Sequence, residues 1–247
     1  SDVTADFTQI PEGVKVVYNV KENPVLKGIV IQGNKKMATE KLLPLLTVKT
    51  GVVLNSKAVA DNLRAVEDYY KGQGYILAKT GDVNFSPDGI LTVRINEGIV
   101  EDIVVKGNIK TKAHVVLREM RTKKGQPFNS KDARRSMQKL YNLGFFEDVN
   151  LKLIPGKEPG ATVLEISVVE QKTGTFSIGG GYSDSDGLIG IITVGDKNLR
   201  GSGDSVTVHW EFGGDASTAG NYSVSYQRPW IDSKRTSLGF TLYNMTN

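Results

Sequence analysis

The sequence predicts an α+β tandem repeat, each unit running β-α-α-β-β, followed by an all-β antiparallel segment. Three observations carry this reading. A strand ending in Gly-Asn, a turn glycine and an Asn-Ser-Lys block each recur at one spacing of 74 residues. Helical periodicity fills each copy between those blocks. After Gln171 that periodicity stops, and apolar residues alternate with polar ones.

Residues 1–23 open the chain with Phe7 to Ile10, then Pro11-Glu12-Gly13, then Val14 to Val20. Two strands around a turn predict a hairpin. It resembles the end of the later copies, so residues 1–23 are expected to be the last hairpin of an earlier copy. Ser1 begins in mid-pattern and no signal peptide opens the chain, so a fragment or a mature segment is expected.

The first full copy, 24–97, begins with Ile29-Val30-Ile31-Gln32-Gly33-Asn34; the second, 98–171, begins with Ile103-Val104-Val105-Lys106-Gly107-Asn108. A first helix follows, with Leu42, Leu43 and Leu46 in one copy and Val116, Leu117 and Met120 in the other as its apolar face. Pro44 predicts that the first of these helices is short or starts late. Gly51 and Gly125 mark the next turn. Asn55-Ser56 and Asn129-Ser130 offer N-cap oxygens to a second helix. Its buried face is expected at Val59, Leu63, Val66 and Tyr70, and at Ala133, Met137 and Leu140. Gly74-Tyr75 then corresponds to Gly144-Phe145, so the second copy is four residues shorter, about one helical turn. Pro87-Asp88-Gly89 joins Val83-Asn84-Phe85 to Ile90–Ile95 as a hairpin, with fixed φ at proline and easy left-handed backbone at glycine. The matching pair is Val149–Ile154 and Val163–Val169. Glu22, Glu97 and Glu170 each close such a hairpin.

In 172–247, Val206, Val208, Trp210 and Phe212 alternate with polar residues, as do Tyr222, Val224 and Tyr226, and Leu238, Phe240 and Leu242. Phe176 and Ile178 start a similar strand; the stretch Leu188 to Val194 alternates less cleanly. One apolar face suits a soluble sandwich or a lipid-facing barrel. Small and hydroxyl residues on the other face, and Trp210, Tyr226, Trp230 and Tyr243 near strand ends, favour the barrel. About five strands are legible, fewer than the ~8 that a closed bacterial barrel needs, so the chain is expected to end inside the barrel.

The order of these blocks resembles the POTRA domain. Leu140-Tyr141-Asn142-Leu143-Gly144-Phe145-Phe146-Glu147-Asp148-Val149 resembles the POTRA beside the barrel in BamA-type outer-membrane assembly factors. The likeness covers roughly residues 1–170. Beyond it, Asn198-Leu199-Arg200-Gly201-Ser202-Gly203-Asp204 and Tyr226-Gln227-Arg228-Pro229-Trp230 resemble turns between strands of that family's barrel. The family's Val-Arg-Gly-Phe or Val-Arg-Gly-Tyr lumen motif is absent from these 247 residues. The resemblance implies tandem POTRA domains running into an incomplete transmembrane β-barrel, in a bacterial-type outer membrane with the POTRA domains in the periplasm.

Composition bounds the chemistry. Hydrophobic residues are 39% and charged residues 23%, as in folded chains, and no apolar run reaches the ~18 residues of a membrane helix. The absence of cysteine excludes disulfides, thiolate metal sites and a cysteine nucleophile. His114 and His209 fall in different domains. No nucleophile elbow, P-loop or dinucleotide fingerprint is present, and Gly179-Gly180-Gly181 opens no helix. Asp184 and Asp186 are the one weak calcium candidate. No enzyme, cofactor or metal is expected.

The net charge of +4 is uneven: Lys106 to Lys139 carries +9, leaving −5 elsewhere. Arg118, Arg121, Lys123, Lys124, Arg134 and Arg135 are a candidate lipid-facing basic patch. A plain solvated face and an acidic partner remain open. Nucleic acid is not expected, since no aromatics interleave with the basic residues on a strand.

The resemblance implies a factor that receives unfolded outer-membrane proteins, with accessory periplasmic lipoproteins as further partners. β-Augmentation is the physical route, an extended client adding to a free sheet edge. In the POTRA fold the strand before the hairpin turn is an edge, which points to Lys79, Thr80, Val83 and Phe85, and to Val149, Leu151 and Leu153. A two-partner-type secretion pore, a soluble periplasmic adaptor and a TamA-like factor are the rival readings.

Overall fold

The computed structural model describes residues 2–21, 25–184, 187–213 and 220–245. Strands β1 (Asp2–Ile10) and β2 (Gly13–Lys21) form an antiparallel hairpin about Pro11-Glu12, longer at both ends than the sequence suggests. The first repeat contains β3 (Gly28–Gln32), helix α1 (Thr39–Leu42), α2 (Ser56–Gly72), β4 (Lys79–Phe85) and β5 (Ile90–Asn96). The second contains β6 (Ile99–Lys106), α3 (Ala113–Glu119), α4 (Ser130–Asn142), β7 (Phe146–Pro155) and β8 (Ala161–Glu170). Their sheets are ordered β3-β5-β4 and β6-β8-β7. In the first, β3 runs parallel to β5 and β4 antiparallel to it.

Two compact units divide the chain. One holds 1–101 with 124–131 and 155–162, and the other 102–123, 132–154 and 163–247.

In the first unit, Asn55 accepts from the N–H groups of Lys57 (2.9 Å) and Ala58 (3.2 Å), which starts α2. Val59, Val66 and Tyr70 fall on one face of α2 and close over Leu26, Leu91, Val93 and Ile95. Leu63 packs against this core only in part. Pro44 ends α1 after one turn and continues it as a 3-10 turn, Leu43–Leu45. That tightening keeps Leu42 and Leu46 buried but leaves Leu43 41% exposed, contrary to its expected place on the core face. Asn62, where the apolar pattern gives no hint of a buried polar group, bonds Thr47 and the Val48 N–H.

In the second unit, Val115, Val116, Met120, Leu140, Phe145, Phe146, Ile166 and Val168 form the core. Helix α3 is rotated by one residue from the expected register, so Val115 is buried where Leu117 was expected. Ser136, rather than Met137, completes the buried face of α4. Its hydroxyl donates to the Asp132 carbonyl and accepts the Arg121 N–H, which satisfies it inside.

The repeated Gly-Asn and Glu have one physical reason in both copies. Gly33 (φ +86°) and Gly107 (φ +81°) press against the central strand. A Cβ there would lie 2.2 Å from the Ile95 carbonyl oxygen and 2.0 Å from that of Val168. The next residue, Asn34 or Asn108, bonds a carbonyl three residues on, each at 2.9 Å. The closing glutamate accepts the N–H groups of that loop. Glu97 takes Lys36 N–H (2.8 Å), and Glu170 takes those of Lys110 (2.7 Å) and Thr111 (2.6 Å). Glu97 also accepts the Tyr70 hydroxyl, whose pKa is raised by burial and then by that carboxylate.

Strands β9 (Gly174–Ser183), β10 (Gly187–Leu199), β11 (Asp204–Gly213), β12 (Tyr222–Arg228) and β13 (Leu238–Asn244) form an antiparallel meander ordered β13-β12-β11-β10-β9. The register aligns Phe176 with Val194, Val194 with Val208, Val208 with Val224 and Val224 with Leu242. Because side chains alternate, Ile178, Ile192, Trp210, Val206, Tyr226 and Phe240 fall on the same face. Exposure of Phe176 (70%), Ile178 (69%), Trp210 (48%), Phe240 (55%) and Leu242 (67%) leaves this face uncovered. The opposite face carries Thr193, Thr207, Ser223, Ser225 and Thr241, with Thr193 beside His209 (3.1 Å) and Ser225 beside Thr241 (3.0 Å). The glycine triplet lies inside β9. No helix among the described residues is long and apolar enough to cross a membrane.

Candidate functional site

Strands β4 and β7 lie at the edges of their three-stranded sheets, as do β3 and β6 on the other side. On β4, the Lys79 ammonium pairs with Glu67 (3.3 Å), and the Thr80 N–H and hydroxyl both donate to Glu67 (2.9 Å each). Burial raises the Glu67 pKa, but the bonds from Thr80 and Lys79 outweigh it and hold the group below the ordinary carboxylate value. A bulge follows between Thr80 and Val83. The regular free edge of β4 is therefore short, Val83 to Phe85. Val83 is exposed, while Phe85 packs partly on the core. Bulges and occupied N–H groups are usual ways of blunting an edge.

Strand β7 is longer, ten residues against seven. Val149 and Leu151 lean on the core, Leu153 and Ile154 are exposed at its far end, and Pro155 terminates it.

The residues of the candidate basic patch differ in their surroundings. Arg121 pairs with Asp132 (3.0 Å), which also faces Arg135 (3.9 Å). Lys123 and Arg134 are exposed, and Lys124 falls in the first compact unit. Arg118 leaves the open surface: its side chain is 13% exposed, its Nε lies 3.6 Å from Glu119, and its guanidinium sits 5.7 Å from the Trp230 ring centre. Burial lowers its pKa most, and Arg228 adds to that, while Glu119 and Asp204 pull it back up. Partial burial, followed by Arg118, Lys112 and Arg228, lowers the pKa of nearby His114 as well.

Arg118 marks a junction that sequence reasoning missed, where the second repeat meets the turns of the five-stranded sheet. Lys110 reaches Asp196 (2.9 Å) and Thr173 (3.0 Å). Asn198, 1% exposed, donates to the Thr111 hydroxyl (2.8 Å) and accepts the Gly203 N–H (2.8 Å). The Lys112 N–H donates to the Gly201 carbonyl (2.9 Å). Gly201 (φ +72°) comes so close that a Cβ would lie 1.8 Å from the Lys110 carbonyl oxygen. Asp204 accepts from Ser202 and Tyr226, each at 2.9 Å. The turn motifs Asn198–Asp204 and Tyr226–Trp230 were the available signal. They mark turns, however, and nothing in one sequence says what a turn touches.

Beside the junction, Arg118, Arg121, Lys123, Lys139, Arg235 and Trp230 line most of a groove of about 670 Å³. No cluster that could hold a metal occurs among the described residues, and Asp186 of the calcium candidate lies outside them.

The POTRA family model, described as a surface antigen variable number repeat, matches residues 24–98 and again 99–171. POTRA1-3 of the periplasmic domain of Omp85 from Anabaena superposes with a TM-score of 0.64 at 30% identity, covering 69% of this chain and 75% of that one. Outer envelope protein 80 of Arabidopsis thaliana chloroplasts is 26% identical over 94% of this chain and 34% of its own length. Outer membrane protein assembly factor BamA of Neisseria meningitidis is 27% identical over 82% of this chain and 26% of its own. The chain thus spans about a third of the length of the curated relatives it matches. Two consecutive POTRA matches, joined to a 30% identical Omp85 arm covered over most of its length, show that this chain belongs to the POTRA-bearing Omp85 family.

Proposed function

We propose that this chain serves at an outer membrane as an assembly factor for β-barrel proteins, its POTRA repeats holding extended clients by β-augmentation. The domain reading that goes with this is an earlier POTRA ending in 1–23, POTRA repeats at 24–97 and 98–171, and barrel strands from 172. The observation that carries the proposal is the pairing of two features. Strand β7 is a ten-residue sheet edge. The five-stranded sheet of the same unit presents an apolar face without cover. An edge offers backbone groups to any extended chain, and a face of this kind is stable in lipid rather than in water. The same face weighs against a soluble adaptor. Relatives named as outer membrane protein assembly factors support the class of process. Accessory proteins could use the same edges, and client identity would follow from which peptides compete.

The test is to titrate the full chain in nonionic micelles with a labelled peptide from a barrel strand. Proline is then placed in turn from Asn150 to Leu153. At positions whose N–H points away from β8, proline should weaken binding at least about tenfold and leave circular dichroism unchanged, since it removes only the outward donor. If no position in β7 weakens binding, the edge is not the client site.

A further inference from the structure

We propose that the groove between helices α3 and α4 and the β12–β13 turn binds the phosphate of an anionic lipid headgroup. Among the described residues, five cationic side chains line it (Arg118, Arg121, Lys123, Lys139 and Arg235) and no carboxylate does. Of these, Arg121 is already paired with Asp132. Arg118 is held differently: its Nε, 3.6 Å from Glu119, and its Nη2 are buried without a hydrogen bond among the described residues, while its Nη1 donates to the Ser202 carbonyl at 3.4 Å. Its guanidinium charge is thus fixed in place at the groove wall and poor in water, where it attracts an anion more strongly than a fully solvated cation would. Arginine suits a tetrahedral phosphate because its planar fork presents paired donors.

Trp230 fixes the geometry. Its ring is flanked by Arg118 at 5.7 Å and Arg235 at 5.1 Å, so one aromatic surface positions two cations. It stands two residues past the end of β12. Leu238, paired with Arg228 at that end, and Phe240 belong to the uncovered apolar face. If that face meets hydrocarbon, the turn lies at headgroup depth, where phosphates are densest and tryptophan is favoured. This placement rests on the membrane reading above; the charge of the groove does not.

The full chain is prepared in dodecyl maltoside with 5-fluorotryptophan, and the Trp230 signal is assigned with Trp230→Phe. It is titrated with dihexanoyl phosphatidylglycerol, phosphatidylcholine of equal chain length, inorganic phosphate and an acidic peptide. Phosphatidylglycerol should shift Trp230 saturably and bind at least tenfold tighter than any of the other three, more weakly as salt rises. Arg121→Gln with Lys139→Gln should weaken it at least fivefold, and Lys41→Gln should not. Equal binding of the two lipids, equal binding of free phosphate, tighter binding of the peptide, or indifference to the double variant would each overturn the site. Quenching of Trp210 by brominated dodecyl maltoside reads the sheet separately. Quenched Trp210 without a lipid preference overturns the groove alone. Unquenched Trp210 with the preference intact overturns the membrane reading alone.

Discussion

Replacing Asn198 with alanine should unlock the junction between the second repeat and the five-stranded sheet. Asn198 is 1% exposed, and its amide makes two bonds, to the Thr111 hydroxyl and from the Gly203 N–H. Alanine leaves a buried donor at Gly203 and a buried hydroxyl at Thr111. An unmade buried group costs about 1–3 kcal/mol. The hydroxyl can turn to another partner, so the sum is about 2–4 kcal/mol, or roughly 30- to 700-fold in a local opening equilibrium. Native-state hydrogen exchange reads this opening directly. The amides of Gly203 and of Lys112, which bonds the Gly201 carbonyl, should exchange faster by that factor. Amides in α2, in the other compact unit, should not change. Pairing Asn198→Ala with Thr111→Val should give a coupling of about 1 kcal/mol in a double-mutant cycle. Exchange at Lys112 within about twofold of the parent, or additivity within about 0.3 kcal/mol, would mean that this side chain does not hold the junction.

Three further outcomes follow from the repeats. The Glu170 carboxyl is pushed up by burial and pulled down further by bonds from the Lys110, Thr111 and Ile109 N–H groups and the Thr111 hydroxyl, so its pKa lies below the ordinary carboxylate value. A lowered folded pKa gives stability that is present above the unfolded value and lost as pH falls through the folded one. Glu170→Gln should therefore flatten urea stability between neutral pH and that range, and an unchanged pH profile would refute this role of the carboxylate. Gly107→Ala puts a Cβ 2.0 Å from the Val168 carbonyl oxygen at φ +81° and should cost more than about 2 kcal/mol, whereas Gly125→Ala, with nothing within 4 Å of its Cβ, should cost only the φ strain of about 1 kcal/mol. Asn129 caps α4 through Lys131 N–H (2.9 Å) and donates to the Gln73 carbonyl (3.1 Å), so Asn129→Asp should keep the cap but speed trypsin cleavage at Lys71 several-fold.

Much of the fold was legible because it repeats. One spacing through Gly33 and Gly107, and Asn55 and Asn129, fixed the order of elements before any contact was known. Those residues recur because each serves a local backbone need. The core faces were read less well wherever local geometry overrode periodicity, as at Leu43 beyond Pro44 and at Leu117 in a helix turned by one residue. Buried polar groups such as Asn62 and Ser136 are invisible to an apolar pattern. For the candidate sites, the placement of β4 and β7 follows from topology. The Glu67 cap on Thr80 and the sequestration of Arg118 arise from tertiary contacts, which a charge count cannot foresee. The groove joins residues over a hundred positions apart, Arg118 and Trp230 among them.

Client capture on a sheet edge has a signature that no other mode of binding shares. N–H groups along a strand point alternately to either side, so only every second amide of an edge strand is free. Amide exchange along Phe146–Ile154 should be followed in the full chain, with and without a saturating barrel-strand peptide. The account predicts new protection at alternate residues of β7, with the intervening amides, already bonded to β8, unchanged. Protection confined to the helices, or uniform across β7, or absent while the peptide is bound, would contradict it.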